Sequence, residues 1–309
     1  MSGSSKGILI ANLTAMGSMI IWAAGLPAAD VILRLLPKDA STPQLLFSAS
    51  RMALAGLFLL PVWIYFEGWR TVRSAEWLRG VWVGSLIGLG AVCVVLGQSM
   101  TDAVTFAIIA ATLPLLGTAI EVIYDGKKIT MNLTFGLLFS IFGAVVALGS
   151  GIHGFAIGPG IAVCLLSNLF FAIGSRLSVT AFPDNTALGR TSLTVIGGAI
   201  ATTVTAFLAV GLGGVTPDPA LFGWWEFGAL AFFAVGGMAI SQLLWLLSVG
   251  KLGVGLASLH INATPFYVMI IMFALGGSWN WMQAAGAALV GVGVLIAQDL
   301  LRFAPQRNA

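Results

Sequence analysis

The chain has 309 residues, of which 59% are hydrophobic and only 8% charged, and its mean hydropathy is +1.01. A water-soluble domain covers its exterior with about 25% charged residues, so this composition excludes a soluble globular protein and leaves the bilayer as the solvent. The net charge of +3 and the pI of about 9.1 arise from Lys and Arg scattered beside apolar stretches, a juxtamembrane pattern that sets nucleic acid aside as a partner.

Ten apolar stretches of roughly 20 residues, each about long enough to cross the hydrocarbon core as a helix, are predicted at 7–35, 43–66, 77–99, 103–124, 131–150, 156–181, 187–212, 224–249, 252–276 and 280–302. The first is interrupted by Asn12, Thr14 and Trp22, which suits a retained bundle helix better than a cleaved signal. Cys93 and Cys164 lie within spans without metal-ligand spacing and read as buried thiols. Lys6, Arg70, Arg73, Arg79, Lys127, Lys128, Arg176, Arg190, Lys251, Arg302 and Arg307 fall on one side of the membrane, against Arg34 and Lys38 on the other. The positive-inside bias therefore predicts a cytoplasmic location for the crowded side and for both termini. Trp63, Trp69, Trp77, Trp224, Trp225, Trp279 and Trp281 sit near span ends and read as interfacial anchors.

The two halves carry the same landmarks in the same order. Arg51 is followed by Met-Ala-Leu in the second span and Arg190 by Thr-Ser-Leu in the seventh; Ala111-Thr-Leu-Pro114 in the fourth corresponds to Ala263-Thr-Pro265 in the ninth. Gly136 and Gly143 in the fifth are spaced as Gly286 and Gly293 are in the tenth. These marks predict an all-α integral membrane protein of ten transmembrane helices in two five-helix repeats, 1–152 and 153–309. With an odd number of spans in each half, the second enters the membrane in the opposite sense, the inverted-repeat plan of many secondary transporters.

With Gly97-Gln98-Ser99-Met100-Thr101-Asp102 and Ser258-Leu259-His260-Ile261-Asn262-Ala263-Thr264-Pro265, this pattern resembles the EamA-type exporters of the drug/metabolite transporter superfamily over the whole chain. It looks most like their YddG subgroup of aromatic amino acid exporters. The resemblance implies a pseudo-two-fold fold, a bacterial inner-membrane location, and a central cavity bounded chiefly by helices 1, 3, 4, 6, 8 and 9, with helices 5 and 10 peripheral.

Polar groups within a membrane are expensive and face a cavity or a partner helix. Asn168 in the sixth span, Gln242 in the eighth, Gln98 in the third, and His260 and Asn262 in the ninth are candidate substrate-binding residues. Their alternative role is interhelical bonding, at about 0.6 kcal/mol on average. Trp22 and Trp245 lie too deep for interfacial anchors and are expected to form apolar walls, whereas Phe106, Phe170, Phe171 and Tyr267 read first as packing or lipid-facing. Arg51 admits two readings, a clamp for a substrate carboxylate or a helix-end arginine that snorkels or pairs with a loop carbonyl; its recurrence as Arg190 on the opposite side of the membrane favours the second. Pro114 and Pro265 break their helices and are candidate hinges.

The nucleotide-binding pattern GxxxxGK[ST] and the zinc-protease pattern HExxH are both absent, and His153 and His260 stand apart from any carboxylate cluster. The expectation is a transporter and no enzyme, without metal or cofactor, whose partners are an amino acid substrate and the lipid bilayer. The acids avoid the centre of the spans, so no carboxylate relay for protons is expected. A multidrug or other small-metabolite exporter of the same fold is the alternative.

Overall fold

The computed structural model describes residues 2–37, 40–101, 106, 109–110, 112–148, 158–274, 279 and 281–297. Among them are the helices α1 (Ser2–Leu33), α2 (Thr42–Ser74), α3 (Trp77–Met100), α4 (Leu113–Asp125), α5 (Met131–Leu148), α6 (Pro159–Thr180), α7 (Ala187–Gly211), α8 (Trp224–Ala234), α9 (Ser241–Ser258), α10 (Thr264–Ala274) and α11 (Trp281–Ala297). A π-helical turn, Val235–Ile240, joins α8 to α9, and a 3₁₀ segment, Leu259–Ala263, joins α9 to α10. No strand occurs among the described residues. Among the described residues, six helical stretches are long and apolar enough to cross a membrane, and two shorter apolar helices, Met131–Gly143 and Ala284–Ala297, accompany them. The all-helical build follows from the solvent: hydrocarbon offers a backbone no hydrogen-bond partner, and a helix satisfies its own.

Local chemistry sets the helix ends. Pro43 and Pro159 stand in the first turns of α2 and α6, where the absent N–H would be unpaired in any case. Thr186 caps α7 by accepting from the Gly189 N–H at 3.0 Å. The Glu226 carboxylate reaches back to the Gly223 N–H at 2.8 Å at the start of α8.

The expected gap between the eighth and ninth spans narrows to a single break at Gly253, whose φ of 79° is a left-handed conformation that glycine adopts without steric cost. The Glu121 carboxylate lies against this break, accepting the Gly255 N–H at 3.1 Å while paired with Lys127 at 2.7 Å. It occupies the space that a Cβ at position 253 would need. The expected fourth helix is broken at Thr112: Phe106, Ile109 and Ala110 are helical before it, and a new segment starts at Leu113 with Pro114 in its first turn. Residues 103–105, the ends of the fifth and tenth spans, the start of the sixth, and Lys38, His153, Arg302 and Arg307 lie outside the described residues.

Packing is organised by close crossings. α3 lies between α6 and α7, α2 rests on α7, α1 runs along α9, α4 packs on α6 and α9, and α5 pairs with α11. At the crossing of α3 and α7, a Cβ on Gly84 would overlap the Thr194 carbonyl oxygen and approach the Gly198 nitrogen to 2.6 Å. Gly136 of α5 meets Gly293 and Ala297 of α11 in the same way. Small residues permit this backbone approach, and dispersion then supplies the attraction that the hydrophobic effect does not provide between helices in lipid.

Trp63 departs from the interfacial role expected of it. It is fully buried, its indole donates to Glu67 at 3.0 Å, and its ring lies 5.9 Å from that of Trp77. Trp69, Trp224, Trp225 and Trp281 are exposed on the protein, as anchors in a headgroup layer would be.

Gly84→Ala is expected to lower stability by about 1–3 kcal/mol through overpacking, read as a lower unfolding temperature of the purified protein. Gly228→Ala, where a Cβ meets nothing within 4 Å, is the control and should leave that temperature within error; equal behaviour of the two would contradict the crossing.

Candidate substrate cavity

A cavity lies where α1, α3, α6 and the π–α9 stretch meet, with Phe106, Ala110 and Leu113 completing one wall and Ile261 of the 3₁₀ segment another. It opens about 60 Å³ to the centres of water-sized spheres, room for a few waters. Neither α5 nor α11 contributes to the lining.

Four of the residues singled out in the sequence line this space together: Trp22, Asn168, Gln242 and Trp245. Trp245 is 1% exposed, and its indole N–H donates to Ser175 Oγ at 2.8 Å, so α6 fixes the ring of a side chain carried by α9. Phe171 packs against it with centroids 5.4 Å apart, and Trp22 faces Phe106 at 6.1 Å. The Asn168 amide donates to the Ile109 carbonyl at 2.9 Å and to Thr112 Oγ1 at 3.0 Å. These bonds fix the amide against the interrupted stretch ahead of Pro114. Gln242 is buried, and its Nε2 has no hydrogen-bond partner among the described residues.

The other candidates lie off the lining. Gln98 spans from α3 to α1, donating to the Leu26 carbonyl at 3.2 Å and to Asp30 Oδ1 at 2.6 Å, which makes it an interhelical tie. His260 is held with Nδ1 3.1 Å from the Ala257 carbonyl of the preceding turn. Asn262 is 2% exposed within the 3₁₀ segment, and neither end of its amide is partnered among the described residues. Pro265 stands at the second position of α10, directly after that segment, with only its backbone described. Like Pro114, it occupies the first turn of an α-helical segment that follows an interruption.

Several lining features have no counterpart among the residues proposed from sequence. Ser18 and Ser241 bond reciprocally: Ser18 Oγ donates to the Ser241 carbonyl at 2.8 Å and Ser241 Oγ to the Ser18 carbonyl at 3.2 Å. The pair fastens α1 to α9 at the cavity wall. Gly237 and Met238 bring the π turn to the lining, and π turns frequently occur at functional sites; the sequence carries only the Gly-Gly pair as a hint. Arg51 also lines the cavity and is 2% exposed. Its Nη2 donates to the Ala91 carbonyl at 3.2 Å, and its guanidinium carbon sits 4.4 Å from the Phe233 ring centroid. The expected snorkelling is thus absent, and the carbonyl that Arg51 meets belongs to helix α3 and not to a loop. Arg190 is half-buried beside Gly250 and stays off the lining.

Among the described residues no Asp, Glu or His lines the cavity, and no cluster of metal-ligating side chains is found. The described lining is thus a chamber of aromatic, amide, hydroxyl and guanidinium groups.

The chain is similar to known transporters. Residues 9–149 match the EamA-like transporter family. The chain is similar to the uncharacterized transporter YyaM of Bacillus subtilis (strain 168), with 27% identity over 267 residues, covering 84% of this chain and 86% of the relative. A solved crystal structure with 20% identity superposes with a TM-score of 0.74, covering 94% of this chain and 96% of the other; at that identity the likeness concerns the fold. The first half of the chain is thus similar to EamA-like transporters and most of its length to a protein named as a transporter, and its long apolar helices suit a multi-pass membrane protein.

If Ser175 holds Trp245 in place, a double-mutant cycle of Ser175→Ala and Trp245→Phe should give a coupling of about 0.5–1.5 kcal/mol in unfolding free energy. Strictly additive effects would show that the bond does not position the ring.

Proposed function

We propose that this protein is a secondary transporter that exports amino acids, aromatic and other neutral ones, across a bacterial inner membrane by alternating access. In this reading it belongs with the aromatic amino acid exporters, the YddG subgroup. Its ten spans form two inverted five-helix repeats, 1–152 and 153–309, with both termini in the cytoplasm. The observation that carries the reading is the cavity itself, where Trp22, Phe106, Phe171 and Trp245 supply apolar surface and Asn168 and Gln242 supply neutral hydrogen-bonding groups. Such a site orients a small polar headgroup and tolerates varied side chains, because one methylene changes binding in an apolar pocket by only about 1–3 kcal/mol.

The helix pairings support the repeat. α2 packs on α7 and α5 on α11, as corresponding spans facing each other across a pseudo-two-fold axis would, and the contact of α3 with α6 has its counterpart in that of α9 with α1. Pro114 and Pro265 serve as hinges in this reading, since each restarts a helix after a break whose backbone groups are not committed to a continuous ladder. Substrate moves down its own gradient without proton coupling. Asp30 is engaged by Gln98 and Glu121 by Lys127 and Gly255, so neither stands in the cavity as a titrating relay.

In proteoliposomes, labelled phenylalanine should show saturable counterflow that a cationic dye does not inhibit, and an imposed pH gradient should drive no accumulation. Alanine at Trp22, Asn168, Gln242 or Trp245 should reduce counterflow at least several-fold while the protein remains in the membrane. Non-saturable flux, dye transport without amino acid transport, or unchanged kinetics in all four variants would each defeat the reading as stated. Thiols placed at Ser4 and Ser74 should be reached by an impermeant reagent only from the cytoplasmic side; labelling from outside intact cells would invert the orientation.

A further inference from the structure

A guanidinium carries five N–H donors and cannot be deprotonated under ordinary conditions. Arg51 holds one such group at the cavity wall, 2% exposed, with a single hydrogen bond to the Ala91 carbonyl and its Nε unpartnered among the described residues. None of the ion pairs among the described residues includes it. The Phe233 face beneath it is an attractive but weak partner. A buried charge without a counter-ion is strongly destabilising unless another group supplies the missing charge and hydrogen bonds.

A purely structural role does not account for this position. Arg190 occupies the related place in the second half, yet it is half-buried beside Gly250 and does not reach the cavity. Fastening a helix therefore does not require the guanidinium to stand at the lining. A second donor, Gln242 Nε2, is also buried at the same cavity without a partner. No acid among the described residues lines the space to neutralise either.

We infer that Arg51 is the carboxylate-binding residue of the cavity, so that the site selects substrates bearing a carboxylate. Two parallel N–H···O bonds from the guanidinium complete its charge and its donors when substrate is bound. The aromatic walls of Trp22, Phe106, Phe171 and Trp245 receive the apolar remainder. This assignment rests on the reading of the cavity as the transport site, and it names the residue that recognises the substrate's carboxylate, so that a carboxylate is required for tight binding.

The test uses the full-length purified protein and the ligand-dependent rise in its unfolding temperature, which reports affinity without requiring a labelled substrate. Two matched pairs are compared: L-phenylalanine with L-phenylalaninamide, and hydrocinnamate with hydrocinnamamide. At least one acid should bind at least tenfold more tightly than its amide. Arg51→Gln should abolish the difference through loss of the acid's affinity, while Arg51→Lys should retain part of it. The inference is overturned if acid and amide bind equally to the unaltered protein, if neither acid binds, or if a folded Arg51→Gln variant keeps the preference. The comparison within the unaltered protein decides the matter even where a variant does not fold. Should hydrocinnamate show the preference while phenylalanine does not bind, the carboxylate assignment stands and the amino acid reading falls.

Discussion

A polar group placed in hydrocarbon must find its partner within the protein, and the helices of this chain are held where such partners meet. Ser18 and Ser241 join α1 to α9, Gln98 joins α3 to Leu26 and Asp30 of α1, Trp245 reaches Ser175 across to α6, and Asn168 reaches Ile109 and Thr112. Each bond has a modest net worth, but together they fix which faces of the helices look at one another. Glycine crossings at Gly84 and Gly136 then bring backbones close enough for dispersion to hold them. Donors without a partner among the described residues also occur away from the cavity, as at Asn262 and Arg190, but at its wall Arg51 and Gln242 stand together with donors to spare.

The same elements that shape the cavity interrupt its helices. A π turn at Val235–Ile240, a left-handed glycine at 253, a 3₁₀ segment at Leu259–Ala263 and proline-started helices at Leu113 and Thr264 surround the lining or lie just beyond it. A continuous helix resists bending because every turn is bonded to the next, whereas these positions need fewer bonds broken to move. The Glu121 carboxylate across the Gly253 break ties α4 to α9 at such a position. Under the proposed alternating-access reading, these interruptions are the movable joints and the packed helices between them the walls.

Much of this was legible in the sequence, for identifiable reasons. Hydropathy located the apolar helices because the bilayer imposes one length on all of them. The depth of Trp22, Asn168, Gln242 and Trp245 within their spans singled them out, since lipid would penalise a polar amide and the interface would not accommodate a deep indole, and the four line one cavity. Depth alone misplaced Trp63: proximity to a span end did not reveal that Glu67 and Trp77 enclose its ring. Gln98 and His260 were indistinguishable from cavity residues by composition, because only tertiary structure shows that the Gln98 amide nitrogen already donates to α1 and that His260 Nδ1 faces the Ala257 carbonyl. Arg51 was the reverse case. Its repetition as Arg190 suggested a shared role, and the divergence of the two side chains depends on rotation about the helix axis, which repeated motifs do not encode.

The central claim is that one cavity binds substrate and communicates with each side of the membrane in turn. Its most direct test is a thiol at Val94, a lining residue of α3, in a background where Cys93 and Cys164 are replaced by Ala. The account predicts that an impermeant reagent labels this thiol in right-side-out and in inside-out vesicles, and that phenylalanine slows labelling from both sides. Labelling from one side only, or labelling from both sides that substrate leaves unaffected, would contradict it.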